Sequence, residues 1–312
     1  MATHETVTPD RMTPGPTRAG DLLPPARSAF GRLREIAGLW LPALPLILVI
    51  ALLLLAPALS LVIGSFRDAS GFSIDPWIRV ITRRGDQAAI LTSLALGATV
   101  ATLCTLVGAP VAWVISRMLP GRRAAWLALF TVAGNFGGIG LGFAYYAILG
   151  TVGMLTLAIQ GVGIDWVPPR PSSFGGLVIG YLYTNVPLFV LLTIPSMGAL
   201  RDDWWEAAQV ASATRAQFWR RVGLPVLAPF IAAGWLLIFT WSIGIYGLAY
   251  ALAGGGAAMT TPLITLRIGD ILATDFTETW RANVLSVILM AIAILSLLAY
   301  RVTLRRAVRW FR

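Results

Sequence analysis

Six apolar runs alternate with short polar segments along the chain, at about 40–65, 89–115, 124–149, 175–198, 226–250 and 283–302. A helix needs roughly 20 apolar residues to cross the ~30 Å hydrocarbon core of a bilayer, and each run meets that length. The pattern predicts an all-α polytopic membrane protein with six transmembrane helices and both termini on one side. Pro57, Pro110, Pro187 and Pro195 fall inside or near the ends of the runs, where kinks are expected and neighbouring helices can satisfy the freed backbone groups. Residues 1–35 show no apolar period and read as a polar tail, disordered or lying on a surface, ahead of a membrane domain over 36–312. Leu33–Trp40 reads as a short amphipathic lead-in on the membrane surface.

Composition agrees with the pattern: 57% of residues are hydrophobic and 12% charged, against about 25% charged in soluble domains. Every basic side chain except His4 is an arginine, for the sequence contains no lysine. That excludes a P-loop, whose lysine must reach the β- and γ-phosphates, and Schiff-base chemistry, which needs an amine. Gly254-Gly255-Gly256 is therefore read as a flexible turn. One histidine, His4, and one cysteine, Cys104, cannot build a Cys/His metal site or an internal disulfide. Cys104 reads as a small packing residue within a span.

The arginines segregate. Arg11, Arg18, Arg27, Arg32 and Arg34 in the tail share a side with Arg117, Arg122 and Arg123, with Arg201, Arg215, Arg220 and Arg221, and with Arg301, Arg305, Arg306, Arg309 and Arg312. The other side holds Arg67, Arg79, Arg83, Arg84, Arg170, Arg267 and Arg281. By the positive-inside rule the termini and the segment 200–225 face the cytoplasm. The net charge of +10 is thus topological, and nucleic acid is not an expected partner.

Residues 206–225, EAAQVASATRAQFWRRVGLP, interrupt the apolar chain between the fourth and fifth runs. Asp202, Asp203 and Glu206 come early and Arg215, Arg220 and Arg221 late, the order that complements a helix dipole and predicts a short helix. Ala207, Ala208, Ala211, Ser212 and Ala213 give it a face of low bulk on which another protein can come close to the backbone. Pro225 suits the first turn of the next helix, where a missing N–H costs nothing.

Glu206-Ala207-Ala208, then Ser212-Ala213, Phe218 and Leu224-Pro225 resemble the EAA loop of permease subunits of bacterial ABC importers of the type I fold. The departure is Ser212, where that family usually has glycine; a slightly altered turn is expected. Tyr181 with Asn185-Val186-Pro187, Phe239, Gly244-Ile245-Tyr246 and Leu252-Ala253-Gly254-Gly255 extend the resemblance, as do Ala109-Pro110-Val111-Ala112, Arg117 and Gly121-Arg122-Arg123. The segment Ser242–Gly255, with Pro262-Leu263 and Ile268-Gly269-Asp270, looks most like the spermidine/putrescine branch, with iron(III), thiamine and phosphonate permeases close by.

The resemblance implies that the loop 200–225 is a cytoplasmic coupling helix that docks on a separate ATPase subunit, with Glu206 meeting a basic residue there. It implies two ATP-binding subunits, which bind the ATP and magnesium, and a second, different permease subunit, hence a heterodimer. It also implies a periplasmic or lipid-anchored substrate-binding protein met by the segment containing Ile164-Asp165-Trp166 and Pro168-Pro169, and a place in the bacterial inner membrane. This chain itself would hold no cofactor and no metal and have no catalytic residue. Asn135, Asn185, Trp241, Tyr246 and Tyr250 are candidates for lining the pathway, the asparagines also for interhelical hydrogen bonds and the aromatic residues for an interface belt. Gly134, Gly138 and Gly142 read as a close-packing row on the third span. Asp270, Asp275 and Glu278 read as partners of Arg267 and Arg281, with guidance of a cation on the periplasmic side as the weaker alternative. A secondary transporter driven by an ion gradient would want an ionisable group at mid-membrane, and a membrane enzyme would want the missing histidine and lysine; both are the weaker alternatives.

Overall fold

The computed structural model describes residues 44–68, 71–165, 167–254 and 261–309. The predicted tail and lead-in, the start of the first run, Trp166, Gly255, Gly256 and Arg312 lie outside the described residues. The chain divides into two units at Ala58 and Leu59. In the first, the described residues form the apolar first part of helix α1 (Leu44–Ser65), with leucines such as Leu46, Leu53 and Leu54 exposed.

The second unit begins with the end of α1. A small antiparallel hairpin, β1 (Arg67–Asp68) and β2 (Gly71–Phe72), leads into α2 (Asp75–Thr82), which starts on Asp75-Pro76 as an acidic first turn with proline near its start favours. Next comes α3 (Arg84–Ser116), whose 33 residues make a rod of ~50 Å, so that both its ends reach beyond a ~30 Å core. It packs beside α7 (Phe174–Met197) and α10 (Leu224–Gly244) around Leu96, Val100, Cys104, Leu177, Tyr181, Phe189 and Ile238. Cys104 is fully buried in that core, as a packing residue should be. Gly108 lets α3 and α7 close up: a Cβ there would stand 2.6 Å from the Phe189 ring.

Two of the predicted spans are broken. The run 124–149 forms α4 (Pro120–Asn135) and α5 (Gly138–Leu149), interrupted at Phe136-Gly137, with Gly138 at a φ of +69° that a side chain would resist. Down α7 the contacts run in order, Gly134 beside Pro187 and Leu188, Gly137 beside Thr184, Tyr145 beside Gly180, so α4 and α5 descend it one after the other. The three glycines expected on one face are therefore divided between two helices. Gly134 meets α7, whereas Gly142 meets α11 (Gly247–Ala253) so closely that a Cβ would lie 2.3 Å from that of Ala251. The run 226–250 is divided in the same way, α10 ending at Gly244 and α11 starting at Gly247 after Ile245-Tyr246.

The remaining described elements are α6 (Met154–Gly161), α8 (Asp202–Val210), α9 (Arg215–Phe218), α12 (Ile264–Thr274), a 3-10 turn (Phe276–Glu278) and α13 (Thr279–Arg309). Among the described residues six helical stretches are long and apolar enough to cross a membrane; the third is Gly138–Gly161, displaced from the expected 124–149 by the break at Phe136-Gly137. This is a multi-pass membrane protein.

Candidate functional site

The segment between α7 and α10 folds as two helices joined by a tight turn. Asp202 and Asp203 occupy the first turn of α8, but its last turn holds no basic residue. Arg215, Arg220 and Arg221 belong instead to α9 and to the π-turn Trp219–Gly223, so the expected single dipole-matched helix is corrected to two. The reversal needs one left-handed residue, and Ser212 supplies it with φ 56°. Glycine adopts that conformation without strain, which accounts for the glycine usual in the loop pattern; Ser212 departs from it at the position where the backbone is most demanding. Thr214 and Gln217 then form a reciprocal capping box that starts α9. Pro225, in the first turn of α10, follows the π-turn directly, so the helical path runs unbroken from Arg215 to Gly244.

The loop has an inner and an outer face. Phe218 is buried among Ala112, Ile115, Val190, Ile194, Met197 and Leu200, at the ends of α3 and α7, with Trp204, Trp205 and Ala208 packed against that cluster. Trp205 stands edge-on to Phe218, centroids 5.2 Å apart. The outer face carries Glu206, Ala207, Ala211 and Ser212, all exposed, and among the described residues Glu206 has no ion-pair partner. Ala213 is half-buried, while Leu224 and Pro225 are exposed. Of the residues singled out in the sequence, Phe218 and Ala208 thus brace the loop, and Glu206, Ala207 and Ser212 present it.

Arg117, which the sequence marks as a topological charge and as part of the family resemblance, fastens the loop to α3. It donates to the Leu200 carbonyl at 2.6 Å, pairs with Asp202 and lies over the Trp113 ring, 4.3 Å from its centroid. Trp113 in turn meets Trp219 edge-on at 4.8 Å.

Asn185 is fully buried and donates from Nδ2 to Ser242 Oγ at 3.3 Å, which makes it a bond between α7 and α10. Asn135 is exposed at the end of α4 and donates to the Thr131 carbonyl of its own helix, so it forms no interhelical bond there. Trp241, Tyr246 and Tyr250 are exposed on the membrane part of the chain, with Tyr246 and Tyr250 stacked at 5.5 Å beside the break in the fifth span. Tyr246 packs against Gly269 of α12, where a Cβ would come within 2.7 Å of the ring. The Ile245 carbonyl left free by that break accepts from Tyr181 and Thr265 hydroxyls, each at 3.3 Å.

At the other end of α3 lies a charge network whose centre, Asp86, the sequence does not reveal. Asp86, fully buried, accepts from Arg281 Nε at 2.8 Å and Nη2 at 2.5 Å. Glu278 joins Arg281 at 2.6 Å to Arg83 at 3.1 Å, and Arg267 stands 3.7 Å from Asp86. Glu278 is thus a partner of Arg281, as expected, but the principal partner is Asp86. Asp275 caps the 3-10 turn, accepting from the backbone and the hydroxyl of Thr277, and the hydroxyl bond at 2.5 Å holds its carboxyl below the usual carboxylate range. Asp270 has no ion-pair partner among the described residues.

No protein-family model matches the chain. It is similar to the molybdenum transport system permease protein of Mycobacterium bovis, 27% identical over 70% of this chain and 80% of that one. It is also similar to the sulfate transport system permease protein of Escherichia coli, 29% identical over 72% and 79%. A third relative is the spermidine/putrescine transport system permease protein of Haemophilus influenzae, 27% identical over 60% and 63%. Among solved structures it superposes on a chain of a bacterial ABC transporter involved in the import of alginate with a TM-score of 0.67 at 18% identity, over 89% of this chain and 99% of that one. A chain of a bacterial alginate ABC transporter in complex with an alginate-pentasaccharide-bound periplasmic protein gives 0.69 at 16% identity, over 88% and 95%. The fold is that of a type I ABC importer permease.

Proposed function

We propose that this chain is the transmembrane permease subunit of an ATP-binding-cassette importer, and that α8 docks on a separate ATPase subunit through Glu206, Ala207, Ala211 and Ser212. The observation that carries this reading is the two-faced loop: a small-residue outer face with one unpaired carboxylate, mounted on a buried aromatic base at the ends of three membrane helices. The permease relatives and the importer fold support it. Lacking lysine, the chain obtains ATP hydrolysis in trans, so ATP and magnesium belong to two partner ATPase subunits. A second, different permease completes the pathway, and a periplasmic or lipid-anchored binding protein delivers the solute.

In this reading the arginine-rich loop end is cytoplasmic, as are both termini, and the membrane is the bacterial inner one. The solute is a small polar one of polyamine type, favoured by the likeness of residues 242–270 to that branch. The relatives carry names for molybdenum, sulfate and trehalose/maltose as well as spermidine/putrescine, so the solute is decided by uptake. An ion-driven transporter is disfavoured because the buried carboxylate among the described residues, Asp86, lies in the first turn of α3 and is paired with Arg281.

Affinity capture of the chain should recover an ATPase subunit, and Glu206→Arg should lose it. Uptake that persists without any ATPase and collapses with a protonophore overturns the proposal. Competition among putrescine, molybdate and sulfate tests the solute separately; uptake of an oxyanion alone removes the polyamine assignment and leaves the permease reading standing.

A further inference from the structure

Beneath the inner face of α8 lies a cavity of about 270 Å³, lined by Trp113, Trp205, Trp219, Arg117, Arg201 and Arg215 together with Asp202. We infer that it holds the phosphate of an anionic phospholipid headgroup, which would brace the loop from below. The inference rests on the orientation proposed above and concerns the face of α8 opposite Glu206.

Charge decides the sign of the ligand. Arg117 is paired with Asp202, and Arg201 with Asp203 at 2.5 Å. Arg215 has only the Trp205 ring, 5.9 Å from its guanidinium to the centroid, and no ion-pair partner among the described residues. The lining is therefore cationic on balance, and a guanidinium beside indole rings suits a phosphate, which accepts its hydrogen bonds in pairs.

Position decides its source. The cavity sits just past the ends of α3 and α7 and at the base of α10, where the spans leave the hydrocarbon. Tryptophan belongs at that depth, and an anionic leaflet offers phosphate there at high local concentration, each nearby arginine strengthening binding. A bound headgroup would bridge α3, through Arg117, to α9, through Arg215, across the turn at Ser212.

Native mass spectrometry of the full chain, purified in detergent and titrated with phosphatidylglycerol or phosphatidylcholine, tests this. Phosphatidylglycerol should be retained in preference, and Arg215→Gln should weaken its retention by about fivefold, the worth of one arginine near a charged surface. Arg220→Gln, on the neighbouring exposed position, is the control and should change retention little. Equal retention of the two lipids, or an equal effect of the two substitutions, overturns the inference. Displacement of the lipid by millimolar inorganic phosphate overturns the assignment to lipid and leaves a free phosphate as the ligand. Glu206→Arg should lose the ATPase and keep the lipid, so that failure of the docking reading and failure of this one are told apart.

Discussion

At one end of α3 the carboxylate of Asp86 is wholly buried and takes two hydrogen bonds from Arg281, whose side chain is 4% exposed; at the other, Arg117 meets an Asp202 whose side chain is 79% exposed. Both ends tie α3 to later parts of the chain by an arginine–aspartate pair, yet the energetics differ in kind. A buried pair has already lost its hydration, so separating it strands an uncompensated charge. An exposed pair exchanges partners with water at little cost. The first end is thus fixed by charge to α13 and, more loosely, to α12, while at the loop end the ion pair can be remade and the buried Phe218 cluster does the holding.

The largest effect is expected at the fixed end. Asp86→Asn leaves the buried Arg281 guanidinium with Glu278 as its one remaining carboxylate among the described residues and should cost up to about 3–5 kcal/mol, read as a marked fall in the thermal unfolding midpoint in detergent. Replacing both partners, Asp86→Leu with Arg281→Met, should recover most of that loss. A midpoint indifferent to Asp86→Asn breaks the comparison at its stronger side.

A double-mutant cycle of Arg117→Gln and Asp202→Asn should give a coupling of at most ~1 kcal/mol. Coupling as large as that of Asp86 with Arg281 would make the two ends alike. The smallest effect is expected inside the loop: Ser212→Gly removes a left-handed serine and should stabilise the turn by less than about 1 kcal/mol, part of the gain being offset by the freer unfolded chain. Slower hydrogen exchange over residues 208–214 would register it, and faster exchange would show that the serine is not strained.

How much of this could be read from residues alone varies along the chain. The helices α3, α7 and α13 follow from unbroken apolar runs, because length and hydropathy are enough to specify a crossing. The breaks at Phe136-Gly137 and Ile245-Tyr246 escape the same reading, since hydropathy stays high across them and only the adjoining glycines hint at a changed backbone. Glu206 and its small neighbours are legible because their chemistry is local, and so is the demand on residue 212. The role of Phe218 as an anchor is not, because its cluster draws on α3 and α7. Asp86 shows the limit most clearly. Within Arg83-Arg84-Gly85-Asp86 it looks like any solvated charge, and its burial is decided by Arg281, 195 positions later.

The π-turn at Trp219–Gly223 gives the loop a mechanical consequence. Because it joins α9 to α10 without a break, the helical path from Arg215 to Gly244 runs through 30 residues, ~45 Å, with Pro225 and Pro229 within it. A tilt of ~5° at the loop, if carried rigidly along that length, would sweep its far tip sideways by ~4 Å. The tip is Gly244, next to the broken backbone at Ile245 and the Tyr246–Tyr250 stack, so a swing carried that far from one membrane surface would arrive where the fifth span is interrupted.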